Sequence, residues 1–189
     1  MPTDRQKLIR ELDTQVYADG MQFELSTGYH QVNIRNYLLA WHTMAAYDVP
    51  VPDAFRDVLE KMHSANIRLM MPDGRLPDLN DGGWHPVAGL LDDAVKHYPE
   101  RADFKWVHSG GAEGQPPAET SLAFENCGYY VMRTGWQLSL IGRTRSRPGH
   151  QQKPVSSSHS PAQWLPCHSP SVLPPLQRRR LSDSQALPL

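Results

Sequence analysis

The sequence predicts a mainly α-helical chain that leads into a β-strand, on three observations. Apolar residues recur at helical spacing in three successive stretches before residue 70. Gly, Pro and Asp punctuate the gaps between them, and strict alternation replaces the helical period around Tyr129. Leu8, Ile9, Leu12 and Val16 place the start of the chain inside a helix that the turn dipeptide Asp19-Gly20 terminates. Ser26 or Thr27 can cap a second helix. Its body spans about residues 31–47, with Ile34, Leu38, Trp41 and Ala45 on one face, until Pro50 and Pro52 stop it.

Asp53 is placed to cap a third helix, whose Phe55, Leu59, Met62 and Leu69 form another apolar stripe. Short links between such helices favour antiparallel neighbours. After the loop at residues 72–83, a shorter helix is expected near 87–98, then a Gly/Pro-rich linker at 109–117 and the strand around 129–133. These pieces divide the chain into a helical part at 1–108, a linker and strand at 109–136, and a tail at 137–189. The tail has a different character. Eight of the 17 prolines lie from Pro148 onward, Arg178-Arg179-Arg180 is a basic run, and Asp183 is the one acidic residue after Trp136. Its composition suits a low-complexity, disordered segment without strand alternation.

With 19 basic and 20 acidic side chains in 189 residues, the net charge of -1 gives no global field that would recruit nucleic acid or an anionic membrane. Cys127 and Cys167 cannot build a disulfide framework, and neither belongs to a Cys-x-x-Cys zinc pair. Asp4, Arg5 and Lys7 precede a short amphipathic run, so the first residues show no apolar signal-peptide core, and no transmembrane segment is expected. The nine histidines show no His-Glu-x-x-His or comparable metal pattern, and His42 and His63 read as exposed or locally satisfied. Neither a phosphate-cradling Gly-rich loop nor a Gly-x-Ser-x-Gly nucleophile elbow occurs. No cofactor or metal is expected.

The most informative stretch is residues 19–30, Asp-Gly-Met-Gln-Phe-Glu-Leu-Ser-Thr-Gly-Tyr-His, which gathers a carboxylate, a phenol and an imidazole where a helix begins. It resembles the Asp-Gly-x-x-x-Glu-x-Ser-Pro-x-Tyr-His element of the heparinase II/III-like polysaccharide lyases, a family that includes related alginate lyases. Thr27 stands where that pattern has Pro. Gly74-Arg75-Leu76-Pro77-Asp78-Leu79-Asn80-Asp81 looks like the family's Gly-x-Leu-Pro-x-x-x-Asp loop. Gly128-Tyr129-Tyr130-Val131-Met132-Arg133-Thr134-Gly135-Trp136 looks like the first strand of its β domain. The resemblance implies a partial α/α toroid of helical hairpins leading into a truncated β-sandwich. It also implies a uronic-acid polysaccharide substrate and a periplasmic or secreted setting. Because the family continues with more strands where this chain turns Pro- and Ser-rich, the residues beyond about 152 are expected to have left the ancestral frame.

Cleavage of such a polymer by β-elimination removes the weakly acidic proton at C5, beside the carboxylate, and expels the glycosidic oxygen at C4. The enzyme must neutralise the carboxylate, supply a base, and supply an acid to the leaving oxygen. A tyrosine, with a pKa of about 10 in water, can be that acid, or the base where neighbours lower its pKa. By resemblance Tyr29 has this role; the bland alternative is a helix-start Tyr hydrogen-bonded in the core. His30 is a candidate for touching substrate or orienting Tyr29, with a buried structural histidine as the competing reading. Glu24 is a candidate for positioning Tyr29 or a sugar hydroxyl, against a carboxylate satisfied by helix-start N–H groups. Asn80, Asp81 and Trp84 are candidates for lining the sugar cleft, with Trp84 stacking on a pyranose face, whereas Trp41 reads as core.

Gly149-His150-Gln151-Gln152 resembles half of a Gly-His-x-His segment whose histidine assists at the substrate carboxylate, which makes His150 a second catalytic candidate. Gln152 replaces the second His and puts a family-type zinc site in doubt. The family's carboxylate-neutralising Asn-His lies farther upstream of the Tyr than the 28 residues present here, so the chain is expected to be a fragment truncated at both ends, weakly active or inactive by itself. Two other functions fit parts of the sequence. One is a toroidal glycoside hydrolase using Glu24 and Asp81 as a carboxylate pair; the other is a non-catalytic helical module that binds glycans or a protein. Oligomeric state is not legible.

Overall fold

In the computed structural model the described residues are 4–83, 85–119, 121–134 and 137–142, with the side chains of 4–5 and 133–142 left aside. Five α-helices precede three strands: α1 Asp4–Gln15, α2 Thr27–Ala46, α3 Asp53–Leu69, α4 Ala94–His97, α5 Ala102–His108, β1 Ser121–Phe124, β2 Tyr129–Thr134 and β3 Gln137–Gly142. A 3-10 turn at Ala88–Leu91 precedes α4.

α3 is the hub, since α1, α2 and α5 all pack on it. The expected stripe of Phe55, Leu59, Met62 and Leu69 is buried, joined by Ala65 and Ile67. On α2 the buried face runs through Thr27, His30, Gln31, Ile34, Tyr37 and Trp41. Ala45, expected on that face, is exposed, and Met44 packs against the core instead. Tyr37 and Trp41 both set their rings against Phe55, at centroid distances of 6.0 and 6.4 Å, within the range aromatic pairs prefer. Arg101 fastens the start of α5, pairing with Glu60 of α3 and, through two nitrogens, with Asp103.

Several local expectations need correction. Asp53 is the first residue of α3 rather than its cap; Pro52 holds the cap position and makes no side-chain bond there. A proline needs no partner for an amide it lacks, and a carboxylate in the first turn favours the positive end of the helix dipole. The helix expected near 87–98 is broken into the 3-10 turn and the single-turn α4. α5 was not anticipated, nor was β1.

β1, β2 and β3 form one antiparallel sheet in chain order, with Phe124 opposite Tyr129 and Thr134 opposite Gln137. On β2, Tyr129 and Val131 are buried whereas Tyr130 and Met132 face outward, the period-2 pattern of a one-sided sheet. β3 occupies residues where strand structure was not expected, so the strands continue past Gln137 to Gly142. The remainder of the expected tail lies outside the described residues.

No described helix is long and apolar enough to cross a membrane.

Candidate active site

The stretch at residues 19–30 folds as a turn closed onto two partners. Asp19 Oδ2 accepts the backbone N–H groups of Asn126 and Cys127, which lie in the β1–β2 turn. Gly20 has φ +88, and a Cβ there would run into the Lys61 carbonyl of α3. Only glycine meets both demands at that position. The Asp-Gly pair therefore anchors the sheet and lets α3 approach, beyond turning the chain after α1.

Ser26 is the N-cap of α2: its Oγ accepts from the Tyr29 N–H at 3.1 Å and donates to the Asp81 carbonyl at 2.8 Å. Thr27 Oγ1 donates to the Pro77 carbonyl at 2.9 Å and accepts from the Leu79 N–H at 3.3 Å. Its own N–H donates to the Leu79 carbonyl. The residue that departs from the family's Pro thus fixes the 77–81 loop against the start of α2. Gly28 faces the same loop so closely that a Cβ would meet the Asp81 carbonyl.

Leu25, at φ +60, turns its carbonyl to two donors: Asn80 Nδ2 at 2.8 Å and the Tyr129 hydroxyl at 2.9 Å. Burial pushes the Tyr129 phenol above its ordinary pKa, so it stays a donor. Asn80 itself sits at φ +53, a conformation Asn tolerates better than most residues.

His30 is 1% exposed. Its Nδ1 faces the Gln22 N–H at 3.3 Å and its Nε2 the Met62 carbonyl at 3.0 Å, which fixes the neutral tautomer with the proton on Nε2. Burial lowers its pKa to about 4, against the opposing pull of the Met62 hydrogen bond. Both ring nitrogens are thus used within the protein, the arrangement of a buried structural histidine, and the ring ties α2 to α3. Its neighbour Tyr29 is 47% exposed on the first turn of α2.

Among the other candidates, Glu24 is half-buried and its N–H donates to Gln22 Oε1 at 2.9 Å. The Asp81 side chain is exposed while its carbonyl holds Ser26. The structure therefore brings Tyr29, Asn80 and Asp81 to one end of α2, through backbone and side-chain bonds that spacing alone did not reveal. Trp84 and His150 lie outside the described residues. Thr27, Leu25 and Tyr129, absent from the expected site, are the residues that brace it.

The mainly helical fold that presents this turn matches part of known heparinase structures. The family model described as "Heparinase II/III N-terminus" matches residues 2–106, and the chain belongs to that family. Among curated proteins it is similar to a heparin-sulfate lyase of Pedobacter heparinus, 31% identical over 132 residues, and to one of Bacteroides stercoris, 30% identical over 132 residues. Each match covers 67% of this chain and 20% of the relative, so the chain spans about a fifth of their length. The crystal structure of heparan sulfate lyase HepC from Pedobacter heparinus superposes with a TM-score of 0.66 at 27% identity, over 73% of this chain and 23% of that one. A heparinase III structure at 22% identity and TM-score 0.67 shares the fold.

Proposed function

We propose that this chain is the Tyr-bearing part of a polysaccharide lyase acting on uronic-acid-containing glycans, with Tyr29 as the proton-transferring residue. A base takes the C5 proton, the electron pair becomes the C4=C5 double bond, the C4–O bond breaks, and the departing oxygen receives a proton from an acid. A phenol poised at the leaving oxygen serves as that acid, and in its deprotonated form as the base.

The observation that carries the reading is a contrast within one motif. Asp19, Gly20, Ser26, Thr27 and His30 are committed to anchoring the turn, while the Tyr29 ring stands half-exposed on a backbone fixed by its neighbours. A reactive group held on a rigid element is what proton transfer in a defined geometry requires. His30 then acts as a positioning residue. Asp81 and Glu24 supply carboxylates near this end of α2, and Asn80 shapes the loop. His150, by the resemblance, would assist at the substrate carboxylate, and Trp84 would stack on a sugar.

The names of the relatives favour heparin- or heparan-type polymers over alginate. A periplasmic or secreted setting for such an enzyme follows from the family resemblance. The test is to incubate the longest natural polypeptide carrying this segment with heparan sulfate and follow ultraviolet absorbance. Growth of the unsaturated-uronate chromophore with chain cleavage supports elimination; cleavage that yields saturated ends would mean hydrolysis and overturn it.

A further inference from the structure

Far from Tyr29, where α2 ends, His42 meets α4. His42 lies thirteen residues along the helix from Tyr29, about 20 Å at 1.5 Å per residue. His42, Asp93 and His97 each offer one ligand atom, and these atoms lie within 4.8 Å of one another. We propose that His42, Asp93 and His97 form a divalent transition-metal site, best matched to Zn2+, that clamps the C-terminal half of α2 to α4.

The donor set carries the assignment. Two imidazoles and one carboxylate, leaving a fourth position for water, are a ligand combination zinc accepts in tetrahedral geometry, whereas Ca2+ and Mg2+ call for more oxygens. Tetrahedral coordination at about 2.0–2.1 Å sets donors roughly 3.3 Å apart. His42 Nε2 and Asp93 Oδ2 are 4.0 Å apart and all three ligand atoms lie within 4.8 Å of one another, so this pair must close by about 0.7 Å and no pair by more than about 1.5 Å. The His42 side chain is 52% exposed, with its ring 5.5 Å from that of His97.

His97 is held already. Its ring lies on Trp41 at a centroid distance of 4.2 Å with planes 30° apart. Its Nε2 is buried with no hydrogen-bond partner among the described residues. Such an orphan calls for an explanation, and a cation within the cluster supplies one.

Two cations oppose the site. Lys96 Nζ pairs with Asp93 Oδ1 at 3.2 Å, and the Arg56 guanidinium sits 5.2 Å over the Trp41 ring. Lys96 is 68% exposed on a flexible stem and can leave Asp93 Oδ2 to the metal, so the opposition moderates affinity without blocking the geometry. Sequence spacing hides the cluster because His42 belongs to a different helix from the Asp-x-x-x-His pair of α4.

The test titrates ZnCl2 into the chelator-treated full chain by calorimetry, with Co2+ absorbance as a second probe of four-coordinate geometry. The wild type should bind one equivalent that His42→Ala weakens at least about ten-fold, the scale on which ligand shells act. Saturating Zn2+ should raise the wild-type Tm and leave that of His42→Ala unmoved. Asp93→Asn should behave in the same way, and its circular dichroism and zinc-free Tm confirm that the fold persists. Zinc binding and Tm shifts equal in wild type and His42→Ala, or no zinc binding by the wild type, would overturn the assignment.

Discussion

The Tyr129 hydroxyl donates to the Leu25 carbonyl at 2.9 Å, so strand β2 is hydrogen-bonded to the turn that presents Tyr29. A second donor, Asn80 Nδ2, reaches the same carbonyl at 2.8 Å. Strand, loop and helix start thereby converge on one oxygen. Tyr129→Phe should cost about 0.5–1.5 kcal/mol, because Asn80 keeps Leu25 from being orphaned. Urea denaturation measures this; a loss well above that range would mean the hydroxyl holds more than Leu25.

Thr27 makes two side-chain bonds to the 77–79 loop. Thr27→Val keeps the shape and removes both. The Leu79 N–H retains the Pro77 carbonyl at 3.1 Å, which limits the damage. A destabilisation of about 1–3 kcal/mol is expected, read from the urea midpoint. An unchanged midpoint would show that the loop does not depend on Thr27.

Gly28 is inside α2, where alanine ordinarily stabilises a helix by roughly 0.5–1 kcal/mol. Here the added Cβ meets the Asp81 carbonyl, which is backbone and cannot step aside alone. Gly28→Ala should therefore lower the Tm and break the Ser26 to Asp81 bond. A higher Tm would contradict the close approach of loop and helix.

His30 and His63 are buried neutral, with pKa values lowered by burial to about 4 and about 3. The ordinary value of 6.5 applies to the unfolded chain, so between pH 6.5 and about 4 the unfolded state binds protons that the folded state refuses. Stability is then full above about pH 6.5 and falls as the pH drops toward 4, by about 3 kcal/mol from His30 alone. Unfolding free energies at pH 7 and pH 4.5 check the sign, and His30→Asn should flatten the slope. Stability that rises on acidification would rule out a neutral buried His30.

Much of the fold was legible because α1, α2 and α3 carry long apolar periods, and β2 alternates cleanly from Tyr129 to Met132. The elements that escaped notice are short. α5 has seven residues and no side-chain cap, and β1 has four, too few to show a period. β3 follows directly on β2, yet its Leu138 and Leu140 alternation is brief and abuts Arg- and Pro-rich sequence. Within the site, the capping role of Ser26 was readable from local sequence. The burial of His30 was not, because Met62, which closes its cage, lies 32 residues away. The same holds for Leu25, whose partners Asn80 and Tyr129 come from other parts of the chain.

The most direct test of the central claim is Tyr29→Phe in the longest natural polypeptide carrying this segment, assayed for unsaturated-uronate formation on heparan sulfate. The ring is half-exposed, so removing its hydroxyl should leave the Tm unchanged while product formation falls at least about a hundred-fold, the lower range of general acid–base catalysis. Wild-type rates in a folded Tyr29→Phe enzyme would contradict the assignment of Tyr29 as the proton-transferring residue.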